Sequence, residues 1–309
     1  MIYVFNVLLP VFALILLGYF AGKKGKLGTH ASIELNRFVI WLALPAQLFN
    51  FAANSGWQAL WHPGFILAFL VAALAIFALI LFIFWYRGDS LAAASFAGLS
   101  ASYSNTGYMG IPLCLLALGQ DGLAPAIIAT FLVFILFALA TVLIEVDILA
   151  HKKSHQILWS VMKSLCSNPL LVSPVLGLFW AASGLTLYDP VAQVISFLSA
   201  AAMPCALVSI GLFLIRKDEN APSKAWGISF AKLIIQPIIA WVIAGPILNL
   251  PSLWVSAVVI LSGLPTGTGP FMLAQYYSAD GRIISRVVLL TTVGSLVTLS
   301  LFLWWNRGI

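Results

Sequence analysis

Charge is what this sequence has least of. Only 8% of its 309 residues are Asp, Glu, Lys or Arg, while 62% are apolar, against roughly 25% charged in a soluble globular domain. Water is therefore not the main solvent of the folded chain. Cysteine is scarce as well. Cys114, Cys166 and Cys205 lie far apart, in or beside apolar runs, with neither a CxxC spacing nor a cluster of His near them. That leaves no metal or redox site among them, and they read as packing residues. Three further absences narrow the chemistry. There is no GxxxxGK[ST] loop for ATP, no HExxH and no pair of intramembrane aspartates, so neither an ATP-driven pump nor a membrane-embedded hydrolase is expected. The net charge of +6 is scattered between apolar segments and forms no basic face, which argues against a nucleic-acid partner.

What is there in abundance is apolar sequence in runs of about 20 residues, each long enough to cross a hydrocarbon layer about 30 Å thick. The runs are continuous and do not alternate, which disfavours a β-barrel. The expected fold class is an all-α membrane protein of ten transmembrane helices, with spans near residues 3–22, 34–53, 64–86, 91–117, 123–148, 166–184, 192–215, 225–248, 251–277 and 284–305. The opening MIYVFNVLLPVFALILLGYFAG lacks the basic region of a cleavable signal peptide and is too long for one, so it is expected to remain as the first span.

Alternate connections separate by cation content. Lys23, Lys24 and Lys26, Arg87, Lys152, Lys153 and Lys163, Arg216, Lys217 and Lys224, and Arg282 fall in one set, and the other holds none before Arg307. Because cytoplasmic loops carry the Lys and Arg excess, this pattern supports ten crossings with both termini outside. Residues 149–165 are then a basic cytoplasmic linker lying on the anionic leaflet, and its His151 and His155 read as solvated.

The chain also matches itself. At an offset of 159, Pro10, Pro45 and Pro63 fall on Pro169, Pro204 and Pro222, and Gly18, Gly25, Gly110 and Gly122 fall on Gly177, Gly184, Gly269 and Gly281. Chance would give about 0.3 proline and about 0.9 glycine coincidences. Five spans per half is an odd number, so the second copy must enter the membrane inverted. The expected organisation is a first repeat over 1–148, the linker at 149–165 and a second repeat over 166–309. Secondary carriers built this way bind substrate near the midplane, on helices that break there.

Two spans carry such breaks. The fourth reads LSASYSNTGYMGIPLCLLALGQDG from residue 99, and the ninth reads LSGLPTGTGPFMLAQYYSADG from residue 261. Pro112 and Pro270 suit the first turn of a following half-helix, where no amide donor is lost. The half-helix N-termini would then offer free N–H groups and positive dipole ends, which favours an anion such as a carboxylate. Asn105, Thr106, Thr266 and Thr268 are candidate side-chain donors, Gly107, Gly110, Gly267 and Gly269 allow close approach, and Ile111, Pro112, Pro265 and Pro270 complete the candidate substrate-binding set. Lys232, about 12 Å inside span eight at helical rise, either snorkels to the surface or faces the bundle. In the second case it could attract substrate or sense its charge together with Gln236. Glu34 with Arg37, and Glu145 with Asp147, are expected in local ion pairs.

These same segments resemble the auxin efflux carrier family. The likeness is carried by SNTGYMGIPL at 104–113, LPTGTGPFMLA at 264–274, LNRFVIWLALPAQLF at 35–49 and SIGLFL at 209–214. It implies a scaffold of spans one, two, six and seven and a transport unit of spans three to five and eight to ten, moving as an elevator, with substrate bound where spans four and nine cross. Asn105, Pro112 and Pro270 fall on the family motif. The short linker resembles the bacterial branch, with which malonate and other small carboxylates are associated. The function expected is a secondary carrier of a small organic anion, with an anion channel or facilitator as the alternative. No cofactor is expected. The expected partners are the substrate and the lipid bilayer, with H⁺ or Na⁺ as coupling ion and a homodimer left open.

Overall fold

A computed structural model describes residues 2–28, 30–54, 61–148, 166–167, 169–213, 215 and 223–306. The linker at 149–165, with His151 and His155, lies outside them. All named elements among the described residues are helical. Helix α1 (Ile2–Lys23) is followed by α2 (Ala31–Phe38) and α3 (Leu44–Asn54), joined by a π turn at Val39–Ala43. Then come α4 (Pro63–Tyr86), α5 (Leu91–Ser102) and a π turn at Thr106–Gly110. That turn leads into α6 (Ile111–Leu118), and a 3₁₀ turn at Gly119–Gly122 leads into α7 (Leu123–Ile148). The second half has α8 (Pro169–Ser183), α9 (Asp189–Phe213), α10 (Lys224–Phe230), α11 (Gln236–Val242), α12 (Ser252–Ser262), α13 (Gly269–Tyr276) and α14 (Arg282–Asn306).

Five described segments are long and apolar enough to cross a membrane: 63–86, 106–148, 189–212, 224–247 and 282–305. Four shorter apolar helices lie at 9–23, 91–102, 172–183 and 252–262. Large apolar side chains point outward, with Phe179, Phe197 and Val297 each more than half exposed. Lipid, not water, matches that surface.

Local chemistry sets the element ends. Pro63 occupies the first turn of α4, and the Ser90 hydroxyl accepts from Ala93 N at 3.2 Å to open α5. Three of the four π turns among the described residues have a cause that the span reading does not anticipate, the fourth being at Ile243–Ile247 with Pro246 inside it. Those at Val39–Ala43, Thr106–Gly110 and Ala231–Ile235 each end two residues before a proline, namely Pro45, Pro112 and Pro237. A proline ring crowds the carbonyl four residues back, here that of Trp41, Tyr108 or Leu233, and supplies no N–H to it. Each crowded residue is the middle of its π turn, so the helix widens there to let the ring pass.

Packing divides the helices by contact. Helix α1 lies on α9, α3 lies on α8 and α9, and α2 also meets α9. Helices α4, α5 and α7 pack together, α4 also meets α11 and α12, and α10 meets α14. Apolar burial gives little drive between helices in lipid, so close backbone approach matters more. Gly18 and Gly211 provide it. A methyl group on Gly18 would strike Val208 O, and one on Gly211 would strike Ile15 O. Beside that contact Ser32 and Ser209 exchange hydrogen bonds, each hydroxyl donating to the other's carbonyl at 3.2 and 3.0 Å.

The expected Arg37–Glu34 pair forms at 2.9 Å. Glu145 and Asp147 differ from expectation. Among the described residues Glu145 Oε1 accepts from the Tyr277 hydroxyl at 2.6 Å and Asp147 Oδ2 accepts from Ala92 N at 3.0 Å. Asp147 lies within reach of the α5 N-terminus, whose free amide and positive end compete for the carboxylate better than a distant cation.

Candidate functional site

The helix breaks expected in spans four and nine fall at residues 103–105 and 263–268. They meet. Asn105 N donates to Pro265 O at 2.9 Å and Gly267 N donates to Tyr103 O at 3.0 Å, and Ser104 and Thr266 form an antiparallel bridge. Broken helices expose carbonyls at the end of the first half, and each must find a donor in a dry interior. The end of α5 meets this demand carbonyl by carbonyl. Leu99 O takes Tyr103 N at 2.9 Å, Ser100 O takes the Thr266 hydroxyl at 2.7 Å, and Ser102 O takes Gln236 Nε2 at 3.3 Å. Ser262 O, ending α12, takes Lys232 Nζ at 2.7 Å.

Lys232 therefore faces the bundle. Its side chain is fully buried, and Nζ also donates to Ser104 Oγ at 3.0 Å. The π turn beneath Pro237 carries it. Thr266 is likewise structural, because its amide donates to Thr291 Oγ1 at 3.0 Å while its hydroxyl is spent on Ser100.

A cavity of about 40 Å³ opens beside the paired breaks, roughly three times the ~10–15 Å³ that one water requires. Asn105, Thr106, Thr268 and Gly269, all candidates from the sequence, line it together with Tyr103, Ser104, Gly107, Tyr108 and Thr130. Its apolar wall comes from Ile40, Leu44, Val133, Phe134 and Met272. Asn105 is 5% exposed, and no described residue hydrogen-bonds its side-chain amide. Thr106 Oγ1 is buried without a partner among the described residues. Unspent donors and acceptors at this depth are costly unless a ligand or water meets them.

Other sequence candidates stand back from the cavity. Gly110 packs on Leu261 and Leu264, and Gly267, like the cavity-lining Gly269, packs on the Tyr103 ring, where a Cβ would come within 2.9 to 2.8 Å of it. Ile111 and Pro112 are buried in the first turn of α6, and Pro270 lies in the first turn of α13. Pro265 contributes its carbonyl, while Lys232 and Gln236 brace the breaks from behind. Sequence reasoning missed Tyr103, Tyr108 and Thr130. The two tyrosines flank the SNTG segment, and Thr130 is a hydroxyl in an otherwise apolar helix, which was the available signal. Among the described residues no group of His, Cys, Asp and Glu could hold a metal ion.

The arrangement can hold a small anion. The helical runs beginning at Thr106 and at Gly269 both start at the cavity, so their positive ends lie against it. Comparison with known proteins agrees with a transport role. A relative from Rhizobium meliloti (strain 1021), named "Putative malonate transporter", is 30% identical over 306 residues, which cover 98% of this chain and 96% of that one. An uncharacterized transporter of Methanocaldococcus jannaschii is 28% identical over 97% of both chains, and one of Escherichia coli (strain K12) is 24% identical over 97% of this chain and 96% of its own. These names describe transporters and no enzyme. Residues 3–303 match the family described as membrane transport protein, and this chain belongs to that family, the one its SNTGYMGIPL and LPTGTGPFMLA segments resemble.

Proposed function

We propose that this chain is a secondary carrier of a small mono- or dicarboxylate, bound where the two broken segments cross, and moved by elevator-type alternating access. The observation that carries this reading is the buried cavity at the paired breaks, where two helical starts, the free amide of Asn105 and the partnerless Thr106 hydroxyl meet. Its polar end suits a carboxylate and its apolar wall suits a short hydrocarbon skeleton. The cavity is small, which favours cargo of a few heavy atoms, and the relative's name makes malonate the first compound to try.

The reading extends to topology. A straight helix over the 43 residues of 106–148 would run about 65 Å, twice the hydrocarbon thickness. A reversal at Gly119, with φ +70, divides it into the end of span four and span five. With α2 and α3 taken as one further crossing, that division and the cation pattern support ten crossings in two inverted repeats, both termini outside a bacterial inner membrane. Helices α1, α2, α3, α8 and α9 pack chiefly on one another, with smaller contacts from α1 to α6 and α14 and from α9 to the Thr106–Gly110 turn, which supports a scaffold distinct from a transport unit of the remaining helices.

Uptake of radiolabelled malonate and related carboxylates into proteoliposomes tests the proposal. Saturable flux that Asn105→Ala lowers at least about tenfold, with the variant folded, is the expected result. Unitary currents in place of saturable flux would instead support a channel, and unchanged kinetics in Asn105→Ala would remove the site.

A further inference from the structure

We infer that Lys232 fills, with its own ammonium group, the position that a coupling cation occupies in cation-driven carriers of broken-helix design. The inference rests on the carrier reading and concerns the opposite side of the same breaks. In such carriers the N-terminal ends of half-helices face an anionic substrate, while the C-terminal ends and unwound carbonyls coordinate the cation. Here the N-terminal ends face the cavity. The C-terminal ends of α5 and α12 face α10 and α11, and there the ligand is a lysine side chain.

The contacts are those a small cation would make. Lys232 Nζ lies 2.7 Å from Ser262 O, the last carbonyl of α12, and 3.0 Å from Ser104 Oγ in the first break. Both are neutral oxygens, and among the described residues Lys232 has no ion-pair partner although its side chain is fully buried. A charge so placed is expensive unless carbonyl and hydroxyl dipoles solvate it, as they would a bound ion. Two more oxygens nearby are idle. Gln236 Oε1, four residues on from Lys232, and Ser262 Oγ are both buried without partners among the described residues.

Ser104 also lines the anion cavity, so one hydroxyl separates the ammonium from the cargo. The fixed positive charge travels with the crossing and offsets the substrate's negative charge. No free Na⁺ is then needed to complete the site. Deleting the side chain leaves a hole bordered by Ser104 Oγ and Ser262 O, neutral oxygens suited to a monovalent cation, with the Ser262 and Gln236 side chains available to turn towards it.

The test uses the full chain in proteoliposomes with external Na⁺ replaced by K⁺ or choline. Wild-type malonate flux is expected to be unchanged by the replacement, and Na⁺ dependence would overturn the inference. Lys232→Ala should lose at least about tenfold in choline and recover several-fold with Na⁺ or ethylammonium. Full flux without an added cation, or a folded variant that no cation rescues, would also overturn it. Lys232→Met, which refills the hole without charge, should stay inactive under every cation. Thermal unfolding separates this inference from the carrier reading. If the wild type moves no carboxylate, the carrier reading fails, yet Na⁺ should still raise the melting point of Lys232→Ala and leave that of the wild type unmoved. Equal responses would count against the cation position. Should Lys232→Ala fold only when purified with Na⁺ or ethylammonium, that requirement supports the inference, and failure to fold with either overturns it.

Discussion

Thr266→Val is the sharpest perturbation of the paired breaks, because it keeps shape and removes one atom's chemistry. The Thr266 side chain is 1% exposed, and its hydroxyl is the donor to Ser100 O at 2.7 Å. Valine fills the same volume but leaves that carbonyl unmet in a dry interior, which costs about 1–3 kcal/mol. The loss should appear as easier local opening of the pairing between the breaks. At about 1.4 kcal/mol per factor of ten, amide exchange at Asn105 and Gly267, whose N–H groups join the two breaks, should speed up about 5- to 150-fold. Hydrogen exchange followed by mass spectrometry over 99–107 and 262–270 is the assay, and α7 serves as internal control. Thr266→Ser keeps the hydroxyl and should exchange within about threefold of wild type. Wild-type exchange in Thr266→Val would refute the claim that this hydroxyl holds the breaks together.

Four further outcomes are expected. Gly211→Val should lower the melting temperature by overpacking the α1–α9 contact, at about 1–3 kcal/mol, whereas Gly227→Ala, where a Cβ meets nothing within 4 Å, should be neutral or stabilising by up to about 1 kcal/mol; paired thermal melts decide. Pro237→Ala should let the π turn at Ala231–Ile235 relax, turning Lys232 by about 100° away from Ser262, so that malonate flux falls while helicity by circular dichroism holds or rises. At the start of α14, Arg282 holds the carboxyl of Asp280, in the preceding loop, below the usual carboxylate range through hydrogen bonds to it. The pair's small stabilisation is therefore present above the unfolded carboxylate value and is lost only as pH falls through the lowered one. Because both side chains are 60% exposed, Asp280→Asn should change melting at neutral pH by less than about 1 kcal/mol equivalent. Asn105→Ala, finally, should leave that melting profile intact while abolishing carboxylate-induced stabilisation.

Much of the site was legible because Gly and Pro cluster where a helix cannot continue, and the clusters at 104–113 and 264–270 mark both breaks. Which of their hydroxyls face the cavity was not legible. Thr266 and Thr268 are two residues apart in one polar motif, yet one is spent on Ser100 O and the other lines the cavity. That division depends on α5 and α14, which lie far off in sequence. Lys232 was undecidable for a related reason: one cation eight residues into a span reaches either the surface or the bundle by small rotations, and a π turn sets the rotation. Three of the four π turns among the described residues were readable in principle, from prolines two residues past each, whereas the one at Ile243–Ile247 holds Pro246 within it. Ion pairs for Glu145 and Asp147 were misjudged because charge was weighed without the helix start and the tyrosine that structure brings beside them.

The joint between the breaks is made largely of main-chain atoms: Tyr103 O, Asn105 N, Pro265 O and Gly267 N, with Ser102 O and Ser262 O behind them. Nearly any side chain leaves such atoms in place. The cavity wall, by contrast, is written in side chains such as Ile40, Thr130, Phe134 and Met272. Relatives can thus exchange cargo by changing the wall while inheriting the joint unaltered, so that divergence in what is carried need leave no trace in how the two halves are tied.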